Sequence, residues 1–293
     1  MPMDVMAVLK RHRIRPSKGL GQSFLVDPHV LEAVITASKL QPDAVVLEVG
    51  PGLGQLTEAL AGHAAHVVAI ELDKRMLAIL RQELGHLANV HLVAGDFLTI
   101  DPIATLRETL GLTPNAPLPY DVVANLPYYI TSTAIRHLLS ATPRPEAMTL
   151  MLQREVAQRI IAQPGDLSLL ALGVQVYGDA QVALDVPATA FYPVPKVQSA
   201  LLHVAIRPEP RVPEVELPRF FQVAQAGFGQ KRKQLHNSLV HNLHLSTDVV
   251  RTALARADIA PQRRPQTLSI EEWAALARAL PEASPQNSSE TER

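Results

Sequence analysis

The sequence contains no cysteine, which excludes disulfides, zinc knuckles and thiol nucleophiles. It lacks any apolar run approaching the ~20 residues that span a bilayer. The N-terminal stretch carries Lys10, Arg11, Arg13, Arg15 and Lys18, but no apolar core of secretory length follows, so a cytoplasmic protein with no membrane attachment is expected. Nor is there an excess of charge of one sign: 27 Lys and Arg against 28 Asp and Glu leave a net charge of -1. Any surface for a polyanion must then come from local clusters of basic residues. No metal site is expected. What remains is a chain of 293 residues, 47% hydrophobic and 19% charged, a composition that suits an ordinary globular protein and excludes global disorder. The length accommodates one large core and a smaller module, so two domains are expected.

The most informative stretch is Val45-Val46-Leu47-Glu48-Val49-Gly50-Pro51-Gly52-Leu53-Gly54, an apolar strand entering a glycine turn, with a helix from Gln55 to Ala61 after it. Gly50, Gly52 and Gly54 permit positive φ and bring backbone close to a ligand at a helix start. Strand, glycine loop and helix are how a doubly wound sheet builds a nucleotide site at its first carboxyl edge. The ligand is a dinucleotide or S-adenosylmethionine. The spacing G-x-G-x-G is not the dinucleotide fingerprint. A second apolar strand, Val67 to Leu72, carries Glu71, placed to bind two ribose hydroxyls of either cofactor. Glu48 is positioned for a methionine ammonium or sulfonium. A third strand, Val90 to Phe97, brings Asp96 to the same edge, where it can accept from an adenine amine. Leu72 and Phe97 adjoin these acids and join the expected cofactor-binding set.

A fourth strand, Tyr120 to Ala124, ends in Asn125-Leu126-Pro127-Tyr128. Pro127 lacks an N–H and pushes Leu126 out of helical geometry, leaving carbonyls free to face outward. Asn125 adds an amide oxygen, and Tyr128 a flat ring for base stacking. Acceptors converging beside an aromatic plane are what an exocyclic amine requires. A fifth strand, Met148 to Leu152, leads to a helix over Glu155 to Ala162. The apolar run 168–178 reads as helix but equally as strand. Val182 to Val186 and Val197 to Ile206 are closing strands, a hairpin around the proline loop Phe191 to Val197, which presents aromatics and Lys196. Alternation of strand and helix predicts a parallel sheet with crossover helices.

Pro208, Pro210, Pro213 and Pro218 mark a linker to a helical module, with helices expected over Leu217 to Gly227, Lys231 to Leu243, Thr247 to Ala257 and Ile270 to Leu280. Ser269 and Glu272 form a capping box for the last. Lys231, Arg232 and Lys233, with Arg263 and Arg264, give this module a basic face, for RNA or simply for solvent. The segment Lys10 to Lys18 reads as a basic arm or as a solvated terminus. The expected divisions are 1–18 (basic arm), 19–207 (sheet domain), 208–280 (helical RNA-binding domain) and 281–293 (disordered tail).

Over nearly its whole length the chain resembles the KsgA-type ribosomal RNA adenine dimethyltransferases. The resemblance rests on Gly21-Gln22-Ser23-Phe24-Leu25, Leu47 to Gly54, Asn125 to Tyr128, Phe191 to Val197 and Gln230 to Leu239. It implies a Rossmann-like methyltransferase sheet with a small all-helical C-terminal domain, S-adenosylmethionine as methyl donor, and two neighbouring adenines near the 3′ end of small-subunit ribosomal RNA as acceptors. It also implies that Ser23, Leu25, Gly50, Glu71, Asp96 and Asn125 line the cofactor site. The target base is expected to stack between Tyr128 and Phe191 after leaving its helix. Asn125, Leu126, Pro127, Tyr128 and Phe191 form the expected catalytic set; Lys10, Arg11, Arg13, Arg15, Lys18, Lys196, Lys231, Arg232 and Lys233 form the RNA-binding set. Two departures from the family pattern stand out: Ser23 in place of the usual Asn, and Leu167-Ser168-Leu169-Leu170 in place of a Tyr-Gly-x-Leu-Ser segment. The implied partner is small-subunit ribosomal RNA or its precursor particle, met by a monomer that also serves subunit biogenesis. The rivals are a non-catalytic assembly factor, a large-subunit adenine methyltransferase of the antibiotic-resistance type, and, last, a dehydrogenase, for which no hydride-transfer His or Tyr-Lys pair is evident.

Overall fold

The computed structural model describes residues 3–14, 16, 23–230 and 233–281. The chain forms two compact units; one runs to Ile161 and resumes over Tyr177–Pro208, the other comprises Ala162–Val176 and begins again at Glu209.

In the first unit the elements are α1 (Val5–Arg11), β1 (Phe24–Leu25), α2 (Pro28–Ser38), β2 (Val45–Val49), α3 (Gln55–Ala61), β3 (His66–Glu71), α4 (Lys74–Leu84), β4 (Val90–Ala94), α5 (Pro102–Leu110), β5 (Asp121–Asn125), α6 (Thr131–Ser140), β6 (Ala147–Gln153), α7 (Arg154–Ile160), β7 (Gly178–Val186), β8 (Phe191–Tyr192) and β9 (Ser199–Ile206). The main sheet has seven strands in the order β4-β3-β2-β5-β6-β9-β7. Strands β2 to β6 pair in parallel, while β9 runs antiparallel to both β6 and β7. Val46, Leu47, Val67, Val68, Val122 and Leu150 have no exposed surface, as expected of parallel strands covered by helices on both faces.

Local signals set the helix starts. Asp27 accepts from the N–H groups of His29 and Val30 with Pro28 in the first turn of α2, and Asp101 and Pro102 do the same for α5. Asp73 caps α4, whose buried residues Met76, Leu77, Leu80 and Leu84 share one face; such side-chain caps contribute ~1 kcal/mol each.

The N-terminus departs from the expected free arm. Val5, Val8 and Leu9 recur at helical spacing and are buried with Phe24, Leu53, Met76 and Ile79, so residues 5–11 form a packed helix. Its ends are tied down: the Met3 N–H donates to Glu58 at 2.8 Å, and Arg11 and His12 each reach Glu83 at 2.7 Å.

In the second unit α8 (Leu169–Gln175) belongs with α9 (Leu217–Phe228), α10 (Leu235–Leu243), α11 (Thr247–Arg256) and α12 (Ile270–Ala279). The segment 162–176 was expected in the sheet domain. Instead, the N–H groups of Gly165 and Leu167 donate to the Gln266 carbonyl, and the ambiguous apolar run splits into α8 here and the start of β7 in the other unit. Fully buried Trp273 stacks on Phe228 at 5.5 Å between centroids. The Ser269–Glu272 capping box forms, and Arg263 pairs with Glu272. Helix α10 starts at Leu235, later than expected, because Gln234 is in extended conformation; Lys233 lies before it. The tail beyond Pro281 lies outside the described residues.

Candidate active site

A cavity of about 340 Å³ opens where the carboxyl ends of β2, β3 and β5 and the loop after β4 converge. Gly50, Gly52 and Gly54 adopt φ of 70°, 60° and 93°, values that side chains rarely tolerate. The turn is fastened to its neighbour strand: the Gly50 N–H donates to the Ile70 carbonyl at 3.0 Å, and the Gly52 N–H donates to Glu71 Oε2 at 3.2 Å. The other Glu71 oxygen accepts from the Asp73 N–H at 2.7 Å. The Phe24 ring closes over Gly52, where an added Cβ would lie 3.2 Å from it. Gly54 has a different task from the one expected. It does not line the cavity; a Cβ there would lie 2.7 Å from Leu80 and Leu84, so its bareness lets α3 start against α4.

Three acids stand at this edge. Glu48 is 1% exposed, and its Oε2 has no hydrogen-bond partner. Burial pushes it up to about 8, and the neighbouring Glu71 carboxylate adds to the shift, which favours its protonated form near neutral pH. Glu71 is also pushed up by burial, against the backbone N–H groups of Asp73, Gly52 and Leu72, which favour its charged form. Asp96 is half-buried on the cavity wall and accepts from the Leu98 N–H at 3.0 Å. Leu72 and Phe97 both line the cavity, Leu72 exposed and Phe97 buried with its ring edge-on to His137.

Asn125 ends β5 and lines the same cavity; its amide nitrogen donates to the Ser23 carbonyl at 3.5 Å, and its Oδ1 accepts no hydrogen bond among the described residues. The Leu126 N–H is taken by the Met151 carbonyl at 3.1 Å. Its own carbonyl precedes Pro127, which has no N–H, and accepts no hydrogen bond among the described residues. Tyr128 lines the cavity, with its hydroxyl 2.6 Å from Ser199 Oγ. Ser23 and Leu25 also line it, but the Ser23 hydroxyl is committed to the Pro193 carbonyl at 2.6 Å.

Phe191 does not meet its expected role. It is 2% exposed, lies in the core with Leu25, Val34 and Leu201 and is not on the cavity wall. The pairing of β8 with β1, Leu25 against Phe191, fixes it there. Sequence reasoning also missed Val5, Tyr129 and Ser199. Val5 and Tyr129 line the cavity, and Tyr129 is 64% exposed; its adjacency to Tyr128 was the available signal. For Ser199, distant in sequence, there was none.

The family model for ribosomal RNA adenine dimethylase matches residues 12–281. The chain belongs to that family. Among members, it is 42% identical over 92% of its length, and 90% of the relative's, to the ribosomal RNA small subunit methyltransferase A of Dehalococcoides mccartyi. The protein of that name from Moorella thermoacetica is 41% identical, covering 95% of this chain and 97% of the other. Of solved structures, the 23S rRNA methyltransferase ErmE superposes with a TM-score of 0.67 at 30% identity, covering 88% of this chain and 99% of that one. A dimethyladenosine transferase from Plasmodium falciparum gives 0.72 at 23% identity, covering 86% and 95%, and shares the fold. The glycines Gly50 and Gly52, the acids Glu48, Glu71 and Asp96, and the uncharged residues Asn125, Leu126 and Tyr128 all line this one cavity.

The basic residues are less gathered. Lys10 is exposed in the last turn of α1 and Arg13 just after it, Lys196 on the proline loop and Lys233 before α10, whereas Arg11 is engaged by Glu83. Arg15, Lys18, Lys231 and Arg232 lie outside the described residues. Among the described residues no helix is long and apolar enough to cross a membrane, and no group of three or more His, Asp or Glu is arranged for a metal.

Proposed function

We propose that this member of the dimethylase family transfers methyl groups from S-adenosylmethionine to the N6 atoms of two adjacent adenines near the 3′ end of small-subunit ribosomal RNA, two on each, during subunit biogenesis. The observation that carries this reading is that Asn125 and Leu126, whose Oδ1 and carbonyl oxygen accept no hydrogen bond among the described residues, line the same cavity as the glycine loop and its acids. The small-subunit substrate is favoured over the large-subunit one by the higher identity to relatives named for the small subunit, 42% against 30% for ErmE.

The residues present fit the cofactor. Glu71 would take the ribose hydroxyls and Asp96 the adenine amine. Gly50 and Gly52 would let backbone approach the amino-acid end. Glu48, buried with an orphaned oxygen, would answer a cationic group beside it. When bound, S-adenosylmethionine supplies a methyl already activated by its sulfonium.

The protein's remaining work is alignment, an effect that contributes roughly 7–11 kcal/mol when donor and acceptor are held in line. Adenine N6 is a poor nucleophile because its lone pair is delocalised into the ring. Asn125 Oδ1 and the Leu126 carbonyl accept its two N–H hydrogens, favour a pyramidal nitrogen and stabilise the positive charge that develops there. The proton then lost is acidic enough to need no strong base. A monomethylated amine retains one N–H for one acceptor, so a second transfer proceeds in the same pocket. Tyr128 supplies the stacking face for the extruded base. Affinity for the RNA comes from phosphate contacts of the helical module and of Lys10, Arg13, Arg15, Lys18 and Lys196, and falls with salt.

Incubating the protein with labelled S-adenosylmethionine and ribosomal subunits from cells that lack this modification, then separating the subunits, tests the proposal. Label is expected in small-subunit RNA. Label confined to large-subunit RNA favours the resistance-type activity, and none in either the assembly-factor reading.

A further inference from the structure

We propose that Ser199 is a positioning residue for methyl transfer, its buried hydroxyl holding the Tyr128 ring at the angle on which the acceptor adenine stacks; this rests on the adenine-methyltransferase reading above. Tyr128 Oη and Ser199 Oγ are 2.6 Å apart, a short hydroxyl–hydroxyl bond. Ser199 has no exposed surface. It opens β9 and is registered on both sides, against Gln153 of β6 and Val186 of β7. Just before it, the Arg154 N–H donates to the Gln198 carbonyl at 3.0 Å, and Arg154 Nη1 donates to Gln198 Oε1 at 3.0 Å. The anchor is therefore one of the better-held backbone positions at this end of the sheet.

Tyr128 itself is not in a regular element; it sits in the turn between β5 and α6. An aromatic ring there would be free to swing about χ1 and to rotate about χ2. A tether at the para hydroxyl fixes the direction of the ring axis. Because a phenol hydrogen-bonds near its ring plane, the tether also biases the plane. Tyr128 lines the cavity and is half-buried, so part of the ring is open to a base while the hydroxyl is committed to Ser199. Burial pushes the Tyr128 hydroxyl above its ordinary range, with the Ser199 bond opposing the shift, so it stays protonated and works as a strut, not as a base. The order β5-β6-β9 means that this one bond joins the acceptor loop to a strand two places along the sheet. The ring is thus ordered before RNA arrives, and its ordering entropy is not charged to the transfer step.

The test is methyl transfer to small-subunit particles by Ser199→Ala, Tyr128→Phe, Ser199→Thr and the double variant Ser199→Ala/Tyr128→Phe, with cofactor affinity measured in parallel. Ser199→Ala is expected to lower kcat about tenfold, the scale of one hydrogen bond's worth of orientation, with KM for the particle and cofactor affinity within about twofold of the parent. Tyr128→Phe should fall by a similar factor, and the double variant should fall no further than the worse single one. Ser199→Thr, which keeps the hydroxyl, should recover most of the rate. Parental kcat in Ser199→Ala, or losses that multiply in the double variant, would overturn the inference and leave Ser199 a packing residue. A parental protein that transfers no methyl to either subunit would overturn the functional reading first, and this inference with it.

Discussion

Replacing Glu48 with Gln tests whether the acid under the glycine loop is held protonated. Burial pushes it up from 4.5 to about 8, whereas in the unfolded chain it ionises near its ordinary value. Between these two values the native state binds a proton that the unfolded state has released, so stability falls as pH rises. Its contribution is fully present below about 4.5 and is lost progressively up to about 8. The slope is roughly 1.4 kcal/mol per pH unit, giving a loss of roughly 3 kcal/mol between about pH 5 and pH 7. Glutamine has no proton to lose, so Glu48→Gln removes that slope. For a unit of this size each kcal/mol moves Tm by about 2–4 °C; the variant should therefore gain on the parent by roughly 6–12 °C between about pH 5 and pH 7. Scanning calorimetry of both proteins at several pH values reads this directly. A gap between them that does not change with pH would refute a protonated Glu48. The same argument gives a second readout: a cationic ligand beside Glu48 lowers its pKa, so binding S-adenosylmethionine near neutral pH should release protons, seen as a buffer-dependent heat.

Glu71→Ala should weaken S-adenosylmethionine binding by tenfold or more, the scale of hydrogen bonds to a charged group; calorimetry giving the parental Kd would remove it from the ribose site. Asn125→Ala should lower kcat by about a hundredfold or more while cofactor affinity changes little, because its oxygen acts on charge that forms in the transition state; comparable losses in binding and rate would place it on the cofactor side instead. Phe191→Ala should cost about 3–5 kcal/mol of stability, and Phe191→Leu should leave kcat near the parental value; a kcat loss in Phe191→Leu with parental Tm would return the ring to base stacking. Neutralising Lys231, Arg232 and Lys233 together should weaken particle binding and flatten its salt dependence by up to about three phosphate contacts; an unchanged slope in a filter-binding titration would make the segment an ordinary solvated surface.

The cofactor side was legible because it is local. Strand, glycine turn and strand-end acids lie within short stretches, each residue type tied to a backbone need, and Ser269 with Glu272 announced its helix by capping chemistry. What stayed hidden depends on contacts between distant segments. Phe191 read as a presented aromatic until β8 paired with β1 and turned it into the core. Gly54 looked like the third ligand glycine, but α4 packs against it. Residues 5–11 carried a helical apolar period, outweighed by the basic residues that follow. The run 168–178 was too short for periodicity to separate helix from strand, and the chain uses it for both, in different units. The Tyr128–Ser199 bond joins positions 71 residues apart, and no pattern in the sequence connects them.

The most direct measurement of the central claim is mass-spectrometric mapping of the RNA after the purified protein has acted on unmodified small-subunit particles, beside the Asn125→Ala variant. The account predicts N6,N6-dimethyladenosine at two adjacent positions near the 3′ end, and little of it with the variant. Methylation of any other base or atom, of adenine in large-subunit RNA only, or a variant as active as its parent would contradict it.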